Sequence, residues 1–230
     1  MHIGLIPDGN RRYMVKQHIK NLLSSYDMGI KKFYDFLDWC AELGVDEVTI
    51  YALSLENITN RGKKEIETLF KAFNKHALDG LSDKTLKEKK IKVRICGDMD
   101  FLLSHGPDKK LSKKMVENLT KLQDSTKDNK NFTVNLAIAY GGRQEIIQAA
   151  KKLVKEKKEI TEENIRKNLW VKSDPDLIIR TSEERISNFL MWQSAYSEIY
   201  FIPKLWQEFT KDDLQQVLSD YGGRERRYGR

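Results

Sequence analysis

Hydrophobic residues alternate between short continuous runs and longer stretches with helical spacing. Six short runs, typical of buried strands, cover residues 3–6, 48–53, 91–96, 132–139, 177–179 and 199–202. Three stretches between them carry apolar residues every three or four positions, which predicts helices over residues 30–41, 66–77 and 111–122. This alternation predicts an α/β fold with a mainly parallel central sheet flanked by helices. We expect one domain over residues 1–230.

Turn and capping residues place several element ends. Gly44 suits the end of a helix before the second strand, and Thr161 and Thr210 suit helix starts. An apolar helix is expected after Ser187, and a last helix over residues 214–228. The basic end of that helix either matches the helix dipole or contacts an anion.

One predicted helix, over residues 65–78, is rich in aromatic side chains on one face. Such a face packs into a core or forms the wall of an apolar tunnel. The small residue Ala52 in the neighbouring strand would leave room for a tunnel.

Composition narrows the class of protein. The chain has 230 residues, 40% of them hydrophobic, and neither a membrane-length apolar run nor a signal-peptide profile, so we expect a soluble, cytoplasmic protein. Its net charge of +7 fits nucleic acid, an anionic membrane face or phosphorylated substrates. The arginines follow strand ends rather than forming one stripe, so nucleic-acid binding is not expected. Neither the two cysteines nor the four histidines form a zinc pattern.

Polar residues follow two of the predicted strands. Arg180, Arg185 and Ser187 come after the run at 177–179, and paired arginines at a strand's carboxyl end suit a diphosphate. Asp8 and Gly9 follow the run at 3–6, where a glycine turn opening a helix attracts anions. Because a carboxylate repels phosphate, Asp8 is expected to hold a bridging cation. The sequence therefore predicts a magnesium–diphosphate site.

A specific series of six motifs includes the polar residues at four strand ends. They are Asp8-Gly-Asn-x-Arg12, Tyr51-Ala-x-Ser-x-Glu-Asn57, Tyr140-Gly-Gly-Arg143, Asp176-Leu-x-Ile-Arg-Thr181, Arg185-Ile-Ser-Asn-Phe-Leu-x-Trp-Gln193 and Ala195-Tyr-Ser-Glu198. In this order, over essentially the whole chain, they resemble the cis-prenyltransferases, the undecaprenyl diphosphate synthase family.

The resemblance implies an enzyme that condenses an allylic prenyl diphosphate with isopentenyl diphosphate, with Mg²⁺ as cofactor, to make Z-polyprenyl diphosphates. Asp8 and Glu198 would bind the metal, Glu198 from across a homodimer, and Asp8 would promote departure of the diphosphate. Asn57 would help remove a proton. The implied substrate-binding residues are Gly9, Asn10, Arg11, Arg12, Tyr13, Ser54, Glu56, Arg61, Arg180, Arg185, Ser187, Arg227 and Gly229. Contact with a membrane would be peripheral, through the lipid product.

Each of these residues also has a structural interpretation. Asp8 could be a turn or capping residue, and Glu198 an exposed strand edge. Arg180 and Arg185 could form surface ion pairs with Glu183 and Glu184.

The chain departs from the family pattern around the allylic substrate. The family usually has an Arg and a Gly-His pair in the stretch corresponding to residues 22–29, and neither is present. Arg11, where the family often has Gly, would restore one positive charge. An unusual acceptor, short or irregular products, or a non-catalytic partner subunit are therefore alternatives. Retention of Asp8, Asn57 and Glu198 favours an active enzyme.

Overall fold

A parallel six-stranded sheet lies at the centre of the computed structural model, which describes residues 1–224. The strands are β1 (His2–Ile6), β2 (Glu47–Ser54), β3 (Ile91–Cys96), β4 (Phe132–Tyr140), β5 (Leu177–Thr181) and β6 (Glu198–Ile202). Their order is β3-β4-β2-β1-β5-β6, and every neighbouring pair is parallel. Each predicted run lies inside one strand, which confirms the predicted α/β fold.

Helices connect the strands and cover both faces of the sheet. They are α1 (Asn10–Lys16), α2 (Leu22–Glu42), α3 (Leu55–Asn60), α4 (Lys63–Ser82), α5 (Lys84–Glu88), α6 (Met99–His105), α7 (Lys109–Thr126), α8 (Gly142–Lys155), α9 (Glu162–Asn168) and α10 (Lys211–Gly222). The three stretches with helical spacing lie in α2, α4 and α7. No helix within residues 1–224 combines the length and the apolar character needed to cross a membrane.

Alternate side chains of each strand enter different apolar clusters, because successive residues point to opposite faces. Ile3 and Leu5 of β1 pack with side chains of α2 and α10, whereas Ile6 packs on the other face with Phe189 and Leu190. Helices α4 and α7 form a further cluster with β2, β3 and β4. Both faces are buried, as continuous apolar strands predict.

Most predicted element ends are confirmed. Thr161 and Thr210 cap α9 and α10 through their side chains, and Gly44, with φ of 76°, follows the end of α2. The last helix, however, ends at Gly222 rather than at residue 228. Residues 225–230, which include the predicted site residues Arg227 and Gly229, lie outside the described residues.

The prediction of an apolar helix after Ser187 is wrong. Only a short 3₁₀ turn forms there, at Gln193–Tyr196, within the part of the chain that the structure describes. The preceding Ser187, Asn188 and Leu190 have φ angles of 47°, 63° and 45°, which a right-handed helix does not allow.

Candidate active site

The carboxyl ends of four adjacent strands, β4, β2, β1 and β5, meet at one edge of the sheet. The loops that follow them surround a cavity of about 1650 Å³, called the cleft below. Most of the predicted site residues line it, namely Asp8, Gly9, Asn10, Arg11, Arg12, Ser54, Glu56, Asn57, Arg61, Arg180, Arg185 and Ser187. The structure thus brings together residues from distant parts of the chain, as the ends of parallel strands predict.

Arg180 joins the two predicted diphosphate loops. Its Nη2 donates to Asp8 Oδ2 at 2.7 Å, and its Nη1 donates to Ser187 Oγ at 2.6 Å and to the carbonyl oxygen of Arg185. The Arg180 side chain is 4% exposed and that of Asp8 37%. The Arg180 Nε atom is buried and has no partner within residues 1–224. A buried donor of this kind is expected to meet an acceptor, and a phosphate oxygen would supply one.

Of the surface ion pairs considered for Arg180 and Arg185, only the one between Arg185 and Glu183 forms among residues 1–224. Arg185 Nη2 lies 3.6 Å from Glu183 Oε2, whereas Arg180 turns inward to Asp8. Glu183 also forms an ion pair with Arg12, whose Nη2 lies 3.0 Å from Glu183 Oε1. Glu183 therefore holds two exposed arginines at the rim of the cleft.

The turn that carries Asp8 is fixed from two sides. Asp8 N donates to Thr181 Oγ1 at 2.9 Å, and the backbone of Trp206 donates to the Asp8 carbonyl at 3.0 Å. Gly9 has φ of 104°, and a Cβ there would lie 2.9 Å from Leu205 Cδ2. Only glycine fits this turn without strain.

Asn10 has a structural role that its motif did not reveal. Its Oδ1 accepts from Gln207 Nε2 at 2.7 Å, and its Nδ2 donates to the Pro7 carbonyl at 3.1 Å. A Cβ at Gly29 would lie 2.5 Å from Asn10 Oδ1. Sequence reasoning missed Gln207 because it follows the last strand, nearly two hundred residues from its partner.

Helix α3 is tied to the loop between β5 and β6. Ser54 Oγ caps α3 by accepting from Asn57 N at 3.0 Å, and Glu56 Oε1 accepts from Asn188 Nδ2 at 3.0 Å. Asn188 Oδ1 in turn accepts from Arg143 N at 2.9 Å. Asn188 was missed because its left-handed φ, which suits asparagine, is not visible in an apolar stretch of sequence.

The cleft continues into an apolar region between α2, α4 and the sheet. This region is lined by Ile30, Leu37, Ile50, Ala52, Leu69, Phe73, Leu86, Val134 and Leu136. The core interpretation of the aromatic helix face is confirmed for Phe70, which is fully buried, whereas Phe73 lines the cavity and the tunnel stays a prediction.

Two predicted residues do not reach the cleft. Tyr13 lies a full turn into α1, beyond the residues whose side chains line the cavity. Glu198 is the first residue of β6, whereas Arg180 pairs with Phe201, three residues further along that strand. Glu198 therefore lies about 10 Å closer than Phe201 to the amino ends of the strands. Within one chain, therefore, Asp8 and Glu198 do not share a site. Instead Glu198 accepts from Tyr200 Oη at 2.8 Å and pairs with Arg224 at 3.3 Å.

The donor set of the cleft fits a magnesium ion that relies on its substrate. No group of three or more His, Cys, Asp or Glu side chains among residues 1–224 forms a ready-made metal site. Mg²⁺ commonly binds one or two carboxylates together with substrate phosphates and water. Asp8, a partly exposed carboxylate in a cleft lined by arginines, meets that requirement.

Comparisons of the sequence and of the structure with known proteins all identify prenyl diphosphate synthases as similar. A family model described as undecaprenyl diphosphate synthase matches residues 6–229. The chain is 41% identical to the geranylgeranyl-diphosphate-specific tritrans,polycis-undecaprenyl-diphosphate synthase of Picrophilus torridus, over 99% of this chain and 89% of the relative. It is 39% identical to the Methanopyrus kandleri protein of the same name, over 100% and 84% of the two chains. The crystal structure of lavandulyl diphosphate synthase from Lavandula x intermedia, with dimethylallyl diphosphate, superposes with a TM-score of 0.87 at 28% identity, covering 100% of this chain and 98% of that one.

Proposed function

The chain belongs to the undecaprenyl diphosphate synthase family, and from that premise we propose that it is a cis-prenyltransferase condensing an allylic prenyl diphosphate with isopentenyl diphosphate. One observation carries the proposal: Arg180 pairs with Asp8 on one side and holds Ser187 on the other, above an apolar cavity. This contact supports the proposal, because an allylic site around Asp8 and an isopentenyl site around Arg180 and Ser187 would then lie next to each other. Residues 1–230 would form one catalytic domain.

Two sets of side chains would hold the substrates. The Gly9 turn, with Asn10, Arg11, Arg12 and the nearby Arg61, would surround the allylic diphosphate. Arg180, Arg185 and Ser187 would hold the isopentenyl diphosphate. Both anions would be bound by guanidinium groups, which pair with phosphate oxygens at two points. Tyr13 would contribute through its place in α1 rather than by contact.

The reaction breaks one C–O bond and makes one C–C bond. The allylic C–O bond ionises, its electron pair leaves with diphosphate, and the double bond of isopentenyl diphosphate attacks the allylic carbon. Loss of a proton from the new cation then forms the new double bond. Asn57, held near the cleft by the Ser54 cap with Glu56 beside it, would help to remove that proton. The apolar walls would keep water from the cation.

Asp8 would hold Mg²⁺, and the ion when bound would neutralise charge on the leaving diphosphate. The arginines around it would stabilise the same charge. The Asp8 carboxylate is held by Arg180 and by the backbone of Gly9, whose N–H donates to Asp8 Oδ1 at 2.6 Å. Glu198 would complete the metal site only from a second subunit, given its position at the far edge of the sheet.

The apolar region would act as the tunnel that receives the growing chain. Its lining side chains come from α2, α4, α5 and the sheet, with Phe73 and Leu86 among them. Because two similar relatives are named as specific for geranylgeranyl diphosphate, we take that compound as the preferred starter. The product would be a Z-polyprenyl diphosphate, and membrane contact would be peripheral, through this lipid, for a cytoplasmic protein.

A homodimer would form through β6. Ile199 and Phe201, on the opposite face of this edge strand from Tyr200 and Ile202, are 41% and 38% exposed, and Tyr196, three residues before Ile199, is 80% exposed. Exposed apolar clusters of this kind mark protein interfaces. In the dimer, Glu198 and the Arg227 and Gly229 segment would reach the partner's active site.

The proposal is tested by incubating the protein with radiolabelled isopentenyl diphosphate and starters of increasing length, with Mg²⁺ or with EDTA. We expect labelled apolar product with Mg²⁺, most of it from geranylgeranyl diphosphate, and none with EDTA. Absence of product with every starter would instead support a non-catalytic partner subunit. Label transferred to another acceptor, or branched products, would support the unusual-acceptor alternative, which the comparisons do not favour.

A further inference from the structure

The segment that follows β6 is tied to the start of α1 at the rim of the cleft. Trp206 N donates to the Asp8 carbonyl at 3.0 Å, and Trp206 Nε1 donates to the Gly29 carbonyl at 2.8 Å. The next residue, Gln207, donates from Nε2 to Asn10 Oδ1 at 2.7 Å. The segment after the edge strand therefore contacts both the turn that carries Asp8 and the helix α2 beside it.

The polarity of the contact between Gln207 and Asn10 is fixed by a neighbour. The Pro7 carbonyl can only accept, so the Asn10 amide turns its Nδ2 toward Pro7, at 3.1 Å, and its Oδ1 toward Gln207. Gln207 must then present its Nε2, which leaves its Oε1 buried and without a partner among residues 1–224. A buried acceptor without a partner is uncommon, and the donation to Asn10 accounts for it here.

The amide of Asn10 has little freedom to turn away from this contact. A Cβ at Gly29 would lie 2.5 Å from Asn10 Oδ1, so the backbone of α2 passes directly beside the amide. Ser25 Oγ, also from α2, donates to the Asn10 carbonyl at 3.3 Å. Asn10 is therefore confined between α2 and the turn, and Gln207 supplies the donor that its side-chain oxygen needs.

The cleft lining shows how Gln207 can affect a bound substrate. Asn10 and Asp8 line the cleft, whereas Gln207 does not. Gln207 can therefore influence a substrate only through the residues it contacts. Because the Asn10 amide also holds the Pro7 carbonyl, its contact with Gln207 helps to fix the turn from which the Asp8 carboxylate projects.

We infer that Gln207 is a positioning residue for the allylic diphosphate site, which holds Asn10 against Pro7 and so fixes the turn that carries Asp8. This inference rests on the proposed function. Loss of a residue that orients a metal ligand typically lowers affinity or activity by about 10- to 100-fold. Two backbone hydrogen bonds of Asp8 remain without Gln207, so we expect an effect at the lower end of that range.

A purely structural role for Gln207 makes a different prediction. If Gln207 only secured the segment between β6 and α10, its loss would lower the free energy of unfolding. The kinetic constants of the protein that remains folded would then stay unchanged. Kinetic constants measured on folded protein therefore separate positioning from simple stabilisation.

The experiment compares kcat and both KM values in wild type, Gln207→Met and Gln207→Glu. Methionine keeps the length of the side chain without the donor, and we expect the allylic kcat/KM to fall about tenfold while the isopentenyl KM stays within about twofold. Glutamate places a carboxylate oxygen against Asn10 Oδ1, and Asn10 cannot reverse because Pro7 offers no donor. The loss in Gln207→Glu should therefore exceed that in Gln207→Met. Should Gln207→Glu fail to fold, Gln207→Met decides alone.

A double variant tests whether Gln207 acts through Asn10. We expect Asn10→Ala combined with Gln207→Met to be little worse than Asn10→Ala alone, because residues that act through one contact are not additive. Losses that multiply in the double variant would show that Gln207 acts by another route, and they would overturn the inference.

Gln216→Met and Gln216→Glu are the matched controls. Gln216 is exposed on α10, donates to Asp220 Oδ1 at 2.8 Å and does not line the cleft. The same two substitutions at this position should leave kcat and both KM values at their wild-type levels.

Amide hydrogen exchange over residues 7–14 provides a measurement that needs no substrate. We expect faster exchange there in Gln207→Met than in wild type, and wild-type exchange in Gln216→Met, because the turn loses a constraint only in the first variant. Unchanged exchange over residues 7–14, an unchanged allylic kcat/KM, or an equal rise in both KM values would each overturn the inference.

Equilibrium binding of the allylic diphosphate to the same variants keeps this test separate from the proposed function. If wild type binds the allylic diphosphate but transfers no isopentenyl units, the proposed function fails. Lower allylic affinity in Gln207→Met, with faster exchange in the turn, would then still support the positioning role. Unchanged affinity in Gln207→Met would overturn that role, and a wild type that does not bind the allylic diphosphate would overturn both.

Discussion

The Asp8 carboxylate pairs with a buried arginine and also faces the cleft. It balances the charge of Arg180, whose side chain is almost fully buried, and it remains partly exposed to the cleft. A buried guanidinium without its partner is costly, which explains why Arg180 pairs with Asp8. The motif identified both residues, but it could not show that they pair with each other, because that contact depends on the register of β1 beside β5.

Asp8→Asn should lower kcat by about 10²- to 10³-fold, because the amide keeps the shape of the side chain but not its charge. Steady-state transfer of isopentenyl units measures this. Thermal unfolding of the same sample should show a folded protein at the assay temperature. A folded Asp8→Asn variant with wild-type kcat would contradict the role given to this carboxylate.

Gly9→Ala should destabilise the protein by about 1–3 kcal/mol, since alanine at φ of 104° is strained and its Cβ meets Leu205. Urea unfolding measures the change. Gly62→Ala is the control, because Gly62 has φ of −59° and no atom within 4 Å of an added Cβ. Equal stability of the two variants would show that the turn is not as tightly held as described.

The loop between β5 and β6 shows where sequence patterns stop being sufficient. Strands were predicted well because continuous apolar runs leave little choice for a doubly covered parallel sheet. The apolar stretch after Ser187 resembled a helix, yet its Phe189 and Leu190 are fully buried against β1 and β4 residues and force left-handed backbone angles. Tertiary packing here overrides local preference.

A polar network at the amino ends of β1, β2 and β4 predicts a pH dependence of stability. His2 Nε2 lies 2.7 Å from Thr49 Oγ1, and Asn135 Nδ2 donates to that hydroxyl at 2.9 Å. Burial lowers the pKa of His2 below its usual 6.5, although Glu47 and Asp176 oppose the shift. Below pH 6.5 the unfolded chain therefore binds more protons than the folded chain, and stability falls as pH falls, by at most about 1.4 kcal/mol per pH unit.

Urea unfolding between pH 7.5 and 5 measures this effect. The free energy of unfolding of wild type should decline across that range, and His2→Gln should lack most of the decline. The same slope in both proteins would assign the effect to other groups.

The order and direction of the strands determine which of the predicted site residues meet within a single chain. All four motif loops follow the carboxyl ends of adjacent strands, so one chain builds the cleft. Glu198 stands at the opposite edge, on the strand that ends the sheet. The motif order predicted that these residues serve one reaction, but only the topology separates the residues that one chain brings together from Glu198, which would need a second subunit to reach the cleft.

Phe201→Glu should convert a dimer into a monomer, because it places a charge on the exposed apolar face of β6. Light scattering after size-exclusion chromatography measures the mass in solution. Val15→Glu, at a site 70% exposed on α1, is a control that should leave the mass unchanged. A monomeric wild type, or a dimer that survives Phe201→Glu, would contradict the proposed interface.

The geometry of the double bonds made by wild-type protein decides whether the account is right. The product formed from geranylgeranyl diphosphate and isopentenyl diphosphate can be analysed by NMR after removal of the diphosphate. We expect every newly added unit to have the Z configuration and to be joined in the regular head-to-tail manner. New bonds in the E configuration, or no product at all from a folded protein, would contradict the assignment of the cleft.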